Sequence, residues 1–113
     1  MITIYHNPRC AKSRQGVAFL KEHGVEFKEQ KYLDAGLRLN ELESIIKKLK
    51  IKPIELIRKS EAIWKSNYKG KTLSDNAILS AMVAHTKLME RPIILNNNKA
   101  VIGRPTENIL KIL

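Results

Sequence analysis

The pattern of hydrophobic and polar positions predicts a helical middle between two strand-containing ends. Ile2–Tyr5 is a short apolar run of strand character, and apolar residues through 17–20 predict a helix that Gly24 ends. Partial alternation over residues 25–32 predicts a second strand. A strand, a helix and a strand in this order favour a right-handed crossover and a parallel pair.

The middle of the chain carries the spacing of helices. Asn40 followed three places on by Glu43 is close to a capping box and predicts a helix start. Apolar residues then repeat at helical spacing at Leu42, Ile45, Ile46 and Leu49. A second helical segment is predicted after Pro53 and a third from Ser74. The sequence therefore predicts a wholly helical insertion over about 38–88.

Strand character returns near the end of the chain. Apolar runs at 93–95 and 100–102 flank three asparagines, which predicts a hairpin. Pro105 suits the first position of a last helix whose buried side is formed by Ile109, Leu110, Ile112 and Leu113. We therefore expect one α/β domain over 1–113, with βαβ and ββα halves of a small mixed sheet on either side of the insertion.

Length and composition limit the class of protein. A chain of 113 residues holds one core, and 43% hydrophobic with 28% charged residues is ordinary for a soluble protein. No apolar run approaches the roughly 18 residues of a membrane span, and no secretory signal is visible. We expect a cytoplasmic protein with no membrane partner, where its single cysteine stays a free thiol.

The net charge of +10 is compatible with nucleic acid, acidic partners or small anions. Lysines 47, 48, 50 and 52 carry much of it in one segment, and no aromatic residue that could stack on bases lies among them. We interpret this segment as a solvated helix face and expect no nucleic-acid partner.

Cys10 is the first candidate for chemistry, because it lies between the first strand and the first helix. Backbone N–H groups at a helix N-terminus favour a thiolate, and Arg9, Lys12 and Arg14 add positive charge nearby. Both effects would lower the thiol pKa and produce a nucleophile. The alternative is a small buried hydrophobic cysteine with no chemical role, which fits poorly with such polar neighbours.

Three arginines stand at the ends of predicted elements. Arg58 follows an apolar turn, Arg91 precedes Pro92 before a strand, and Arg104 precedes the last helix. A guanidinium remains charged and presents a fork of donors that suits a tetrahedral oxyanion, although each could also be an ordinary surface arginine. A proline at the start of a strand near a reactive cysteine can be cis, but most X-Pro bonds are trans.

Four motifs in order give the chain a resemblance to a known family. They are Tyr5-His6-Asn7-Pro8-Arg9-Cys10 with Lys12-Ser13-Arg14, Ile57-Arg58-Lys59, Glu90-Arg91-Pro92-Ile93-Ile94 and Gly103-Arg104-Pro105-Thr106-Glu107. The chain resembles the glutaredoxin-dependent arsenate reductases, the ArsC family of the ArsC/Spx superfamily, from residue 2 to the last residue. This implies a thioredoxin-like, or glutaredoxin-like, mixed four-stranded sheet with an all-helical insertion, and a cis Pro92.

The resemblance also implies a reaction. Cys10 would form a thiol adduct with arsenate, glutathione as co-substrate would reduce the adduct, and glutaredoxin would regenerate the thiol. No bound cofactor or metal is expected, and a monomer is expected. The implied oxyanion ligands are Arg58, Arg91 and Arg104, and the implied thiolate-tuning residues are His6, Ser13 and Arg14.

One departure from relatives and one further feature leave alternatives open. Ala11 stands where relatives often have Ser or Gly, which could cost the thiolate a hydrogen bond or leave activity unaffected. Ser13 makes the motif Cys-x-x-Ser, so an external thiol must resolve any adduct. One alternative is a redox-responsive regulator similar to Spx, which binds RNA polymerase, although Spx-type regulators commonly carry a second cysteine at the position of Ser13. A monothiol glutaredoxin-like oxidoreductase is a further alternative, although the residues after Cys10 lack the Gly-Phe of its iron–sulfur-binding type.

Overall fold

The computed structural model describes residues 2–32 and 36–113, which fall into two compact units. The first comprises the described residues of 2–32 and 91–113, and the second comprises 36–90. The first unit contains four strands, which are β1 (Ile2–Tyr5), β2 (Phe27–Gln30), β3 (Ile93–Asn96) and β4 (Lys99–Ile102). It also contains helix α1 (Ala11–Glu22) and a C-terminal 3₁₀ helix (Thr106–Ile112).

The four strands form one mixed sheet in the order β2-β1-β3-β4. β1 and β2 are parallel, whereas β3 is antiparallel to both β1 and β4, which confirms the predicted crossover and hairpin. In this register Tyr5 lies beside Ile93, and Ile93 lies beside Ile102. The loops that follow β1, precede β3 and follow β4 therefore leave the sheet at the same end of its strands.

Apolar side chains from strands and helices form the core of this unit. The fully or nearly buried members are Ile2, Ile4, Leu20, Ile94, Ile109 and Ile112. They come from β1, α1, β3 and the C-terminal 3₁₀ helix, so both helices pack onto the sheet through their apolar sides. Helix α1 ends as predicted, with Gly24 in the left-handed region at φ 66°. The predicted α/β class with a mixed four-stranded sheet is confirmed.

The second unit is built mainly from short helices. These are α2 (Leu39–Leu49), a 3₁₀ helix (Pro53–Leu56), α3 (Ala62–Asn67), α4 (Asp75–Ala84) and a second 3₁₀ helix (Thr86–Leu88). Ser74 caps α4 as predicted, because its hydroxyl accepts a hydrogen bond from the N–H of Ala77 at 3.2 Å. Among the described residues, no helix is long and apolar enough to cross a membrane.

Three local predictions were wrong. The N-cap of α2 is Arg38 rather than Asn40, since Glu41 accepts from the backbone N–H of Arg38 at 3.3 Å. The middle is not wholly helical, because an antiparallel bridge joins Ile57 to Met89. The last helix is 3₁₀, and Pro105 precedes it with extended backbone at ψ 163° instead of occupying its first position.

Pro92 is buried against two glycines of the first unit. A Cβ atom built on Gly16 would lie 3.0 Å from Cγ of Pro92, and one on Gly103 would lie 2.9 Å from the same atom. The Gly103 Cβ would also lie 3.1 Å from Cδ1 of Ile94. The proline ring is rigid, so these two glycines allow α1 and the end of β4 to approach it closely.

We therefore expect Gly103→Ala to lower the free energy of unfolding by about 1 to 3 kcal/mol, because the added methyl overpacks the core. Urea unfolding would measure the change. Gly24→Asn is the control, since nothing lies within 4 Å of its Cβ position and asparagine tolerates a positive φ. That control should change stability by less than about 0.5 kcal/mol. A Gly103→Ala protein as stable as the wild type would contradict the close packing.

Candidate active site

Cys10 occupies the N-cap of α1, as the sequence predicts. Its backbone is extended at φ −96° and ψ 122°, and its carbonyl accepts the N–H of Arg14 at 3.0 Å. Its own N–H donates to the carbonyl of Asn7 at 2.9 Å. The Asn7 side chain in turn accepts the N–H of Arg9 at 3.1 Å. Hydrogen bonds on both sides of Cys10 thus fix how the sulfur is presented at the start of the helix.

The thiol of Cys10 is acidic for a cysteine. Burial raises its pKa, but this effect is outweighed by hydrogen bonds from the backbone N–H of Ser13, the side chain of Arg91 and the backbone N–H of Lys12. The charge of Arg91 lowers the pKa further, and the net value is about 7. A pKa in this range favours the nucleophilic thiolate far more than that of an ordinary cysteine does.

Arg91 makes the largest side-chain contribution to this low pKa. The sequence neighbours expected to supply the charge are placed differently, since Arg9 and Lys12 are exposed to solvent. Arg14 donates from Nη1 to the carbonyl of Pro8 at 2.8 Å and so ties the loop to the helix. The cationic partner of the sulfur thus comes from a segment about 80 residues away in sequence.

Arg104 is the second guanidinium at the sulfur. Its Nη2 lies 3.7 Å from Sγ of Cys10, and its Nε donates to the carbonyl of Arg91 at 2.7 Å. Both arginines precede prolines in cis peptide bonds. The resemblance implies this isomer for Pro92, whereas nothing in the sequence indicated it for Pro105. Cys10, Arg91 and Arg104 are therefore brought together at one end of the strands of the sheet.

Arg58 belongs to the second unit and is described there. Its backbone N–H donates to the carbonyl of Leu88 at 2.7 Å, beside the bridge between Ile57 and Met89. Its Nη1 lies 3.9 Å from Oε1 of Glu61, within the same unit. The side chain is only partly exposed, which is consistent with an arginine held in a defined position.

His6 and Ser13 are both buried in the first unit. Burial lowers the pKa of His6, and Lys31 and Arg14 lower it further, while Glu29 at 3.7 Å partly offsets these effects. The lowered pKa favours the neutral imidazole. Ser13 is 0% exposed, and its hydroxyl has no hydrogen-bond partner among the described residues. Its contribution to the thiolate is made through the backbone N–H.

Tyr32 is a site neighbour that sequence reasoning did not single out. Its side chain is 0% exposed and interacts with the guanidinium of Arg91. Its ring also makes an edge contact with Tyr5, with 6.2 Å between ring centroids. In the sequence it is only the last residue of an alternating run, so no signal distinguished it.

The arrangement suits attack by sulfur on a small anion. A thiolate beside two guanidinium groups provides a nucleophile and fixed donors that would stabilise negative charge on a tetrahedral oxyanion. Across residues 2–32 and 36–113 there is no group of three or more His, Cys, Asp or Glu side chains that could hold a metal ion.

The chain is similar to known proteins along nearly its whole length. The model of the ArsC family matches residues 5–112. The chain is 44% identical to the uncharacterized protein YfgD of Escherichia coli, covering 99% of this chain and 96% of that one. It is 41% identical to an arsenate reductase of Haemophilus influenzae, covering 99% and 98%. A solved arsenate reductase structure from Vibrio cholerae has a TM-score of 0.95 at 38% identity, covering 99% and 97%.

The thiol should titrate with a midpoint of about 7, since backbone donors and Arg91 favour its ionised form. Thiolate absorbance near 240 nm, or the rate of alkylation by iodoacetamide against pH, would measure this midpoint. Below it the sulfur is protonated, so alkylation should slow as the pH falls. Arg91→Gln should move the midpoint upward.

Lys12→Gln is the matched control. It removes a positive charge two residues from the thiol but keeps the backbone N–H that bonds the sulfur. This variant should leave the midpoint much closer to the wild-type value than Arg91→Gln does. An equal shift in both variants would show that general positive charge, rather than the contact with Arg91, sets the acidity.

Proposed function

Because the chain belongs to the ArsC family, we propose that it reduces arsenate to arsenite with Cys10 as the nucleophile. The observation that carries this proposal is a thiol of pKa about 7 with the guanidinium groups of Arg91 and Arg104 at its sulfur. The full-length similarity to an arsenate reductase of 41% identity supports it.

The proposed first step joins two negatively charged reactants. The Cys10 thiolate attacks arsenic, an S–As bond forms, and one arsenate oxygen takes up protons and leaves as water. Arg91 and Arg104 offset the repulsion between thiolate and arsenate, and they stabilise the charge that builds up on the remaining oxygens. Because these donors are already held near the sulfur, little reorganisation is needed during the attack.

The second half of the reaction needs thiols from outside the chain, because Cys10 is its single cysteine. We propose glutathione as the donor, with glutaredoxin as the protein that regenerates the thiol. In the net reaction two external thiols are oxidised to one disulfide. Their two electrons reduce As(V) to As(III), and one oxygen leaves as water. Arsenate, glutathione and glutaredoxin are thus the proposed partners.

The test is a coupled assay with arsenate, glutathione, glutaredoxin and NADPH-dependent glutathione reductase. We expect NADPH oxidation that requires arsenate in the wild type and falls to background in Cys10→Ser, because an alcohol of ordinary acidity cannot replace the thiolate. Oxidation of NADPH that is independent of arsenate would count against the proposed substrate. Replacing glutathione by another thiol in the same assay would identify the donor.

Arg58 is proposed as a third oxyanion ligand on the basis of the family motif. Arg58→Lys keeps the charge but loses the planar fork of donors, so kcat/KM for arsenate should fall by at least about tenfold. Arg38→Lys is the matched control, since Arg38 is an exposed arginine of the same unit. Kinetics unchanged in Arg58→Lys would remove this residue from the proposed site.

A further inference from the structure

The carbonyl of Arg104 accepts a hydrogen bond from a side chain of the last helix. The helix that begins at Thr106 is 3₁₀, so the N–H of Asn108 donates to the carbonyl of Pro105 at 3.0 Å. In an α-helix the same N–H would donate to the carbonyl of Arg104. In the 3₁₀ helix the donor to the Arg104 carbonyl is instead a side chain.

The side chain of Asn108 provides that donor. Its Nδ2 donates to the carbonyl of Arg104 at 2.9 Å and to the carbonyl of Ile102 at 3.4 Å. The Ile102 carbonyl also accepts the backbone N–H of Arg104 at 2.9 Å. One amide group thus connects the end of β4 to Arg104, and it holds the backbone on both sides of Gly103.

The position of this backbone determines where the Arg104 guanidinium lies. Its Nε is held by the Arg91 carbonyl at 2.7 Å, which leaves Nη2 3.7 Å from the sulfur of Cys10. The neighbouring Gly103 N–H is bonded to the carbonyl of Pro92 at 2.8 Å. The Arg104 residue is thus held at its backbone by Asn108 and at its guanidinium end by the Arg91 carbonyl.

We propose that Asn108 is a positioning residue that holds Arg104 in place for oxyanion binding through the hydrogen bond from its side-chain amide to the Arg104 carbonyl. The inference rests on the proposed function only in that Arg104 is taken to bind the oxyanion. Asn108 itself does not contact the sulfur. It acts through the backbone of Arg104.

Two variants that are isosteric with each other isolate the hydrogen bond. On a helix a threonine hydroxyl can donate to the carbonyl three or four residues earlier, and the residue four places before position 108 is Arg104, whereas valine has the same shape and no donor. Asn108→Val should weaken oxyanion binding by about fivefold, the usual effect of one lost hydrogen bond, and Asn108→Thr should stay within about twofold of the wild type.

The readout is the concentration of arsenate that half-protects Cys10 from alkylation by iodoacetamide. The thiol midpoint should remain about 7 in both variants, because its largest favourable contributions come from Ser13, Arg91 and Lys12. Asn96→Val is the matched control, since the Asn96 side chain donates to the carbonyl of Ile112 at the other end of the same 3₁₀ helix. Asn96→Val should leave the half-protecting arsenate concentration unchanged.

Combining the substitutions with Arg104→Ala separates positioning from general stability. In the Arg104→Ala protein, Asn108→Val and Asn108→Thr should have the same half-protecting arsenate concentration, because no guanidinium remains at position 104 to be positioned. If Asn108→Val and Asn108→Thr had the same half-protecting arsenate concentration while Arg104 is present, the inference would be overturned. A difference between the two that persists in Arg104→Ala would overturn it as well. So would a wild type that no arsenate concentration protects. Protection without turnover would instead reject the proposed reductase and leave the inference standing.

Discussion

The register of the central strands is the constraint on which the site depends. Tyr5, Ile93 and Ile102 lie side by side across β1, β3 and β4. This places the loop carrying Cys10, the loop carrying Arg91 and the turn carrying Arg104 at the same end of the strands. A slip of one residue would turn the buried side chains of β3 to the opposite face, so core packing and site assembly are fixed by the same pairing.

Local features of the site could be predicted because they depend on neighbours in sequence. The strand before Cys10 and the helix after it follow from short-range patterns, and with them the backbone donors that favour the thiolate. Bringing Arg91 and Arg104 to the same sulfur depends on strand pairing between distant segments, which no local pattern encodes. The family resemblance supplied that grouping, and the sheet register gives its physical reason.

Other features could not be predicted because they depend on side-chain direction and exact helix type. Arg9 and Lys12 are close to Cys10 in sequence but face solvent, so proximity along the chain overstated their effect on the thiol. No local pattern singled out Asn108. Its hydrogen bond to the carbonyl of Arg104 accompanies a 3₁₀ helix that the sequence did not indicate.

The charges at the site explain why the proposed reaction calls for more than the two guanidinium groups beside the sulfur. The ionised Cys10 and the cations of Arg91 and Arg104 together carry one net positive charge. Dianionic arsenate would leave one negative charge uncompensated in a partly buried place, where such a charge is costly. The role proposed for Arg58 would add a third guanidinium to offset that charge. A lysine in its place would also be cationic but would lack the planar fork of donors.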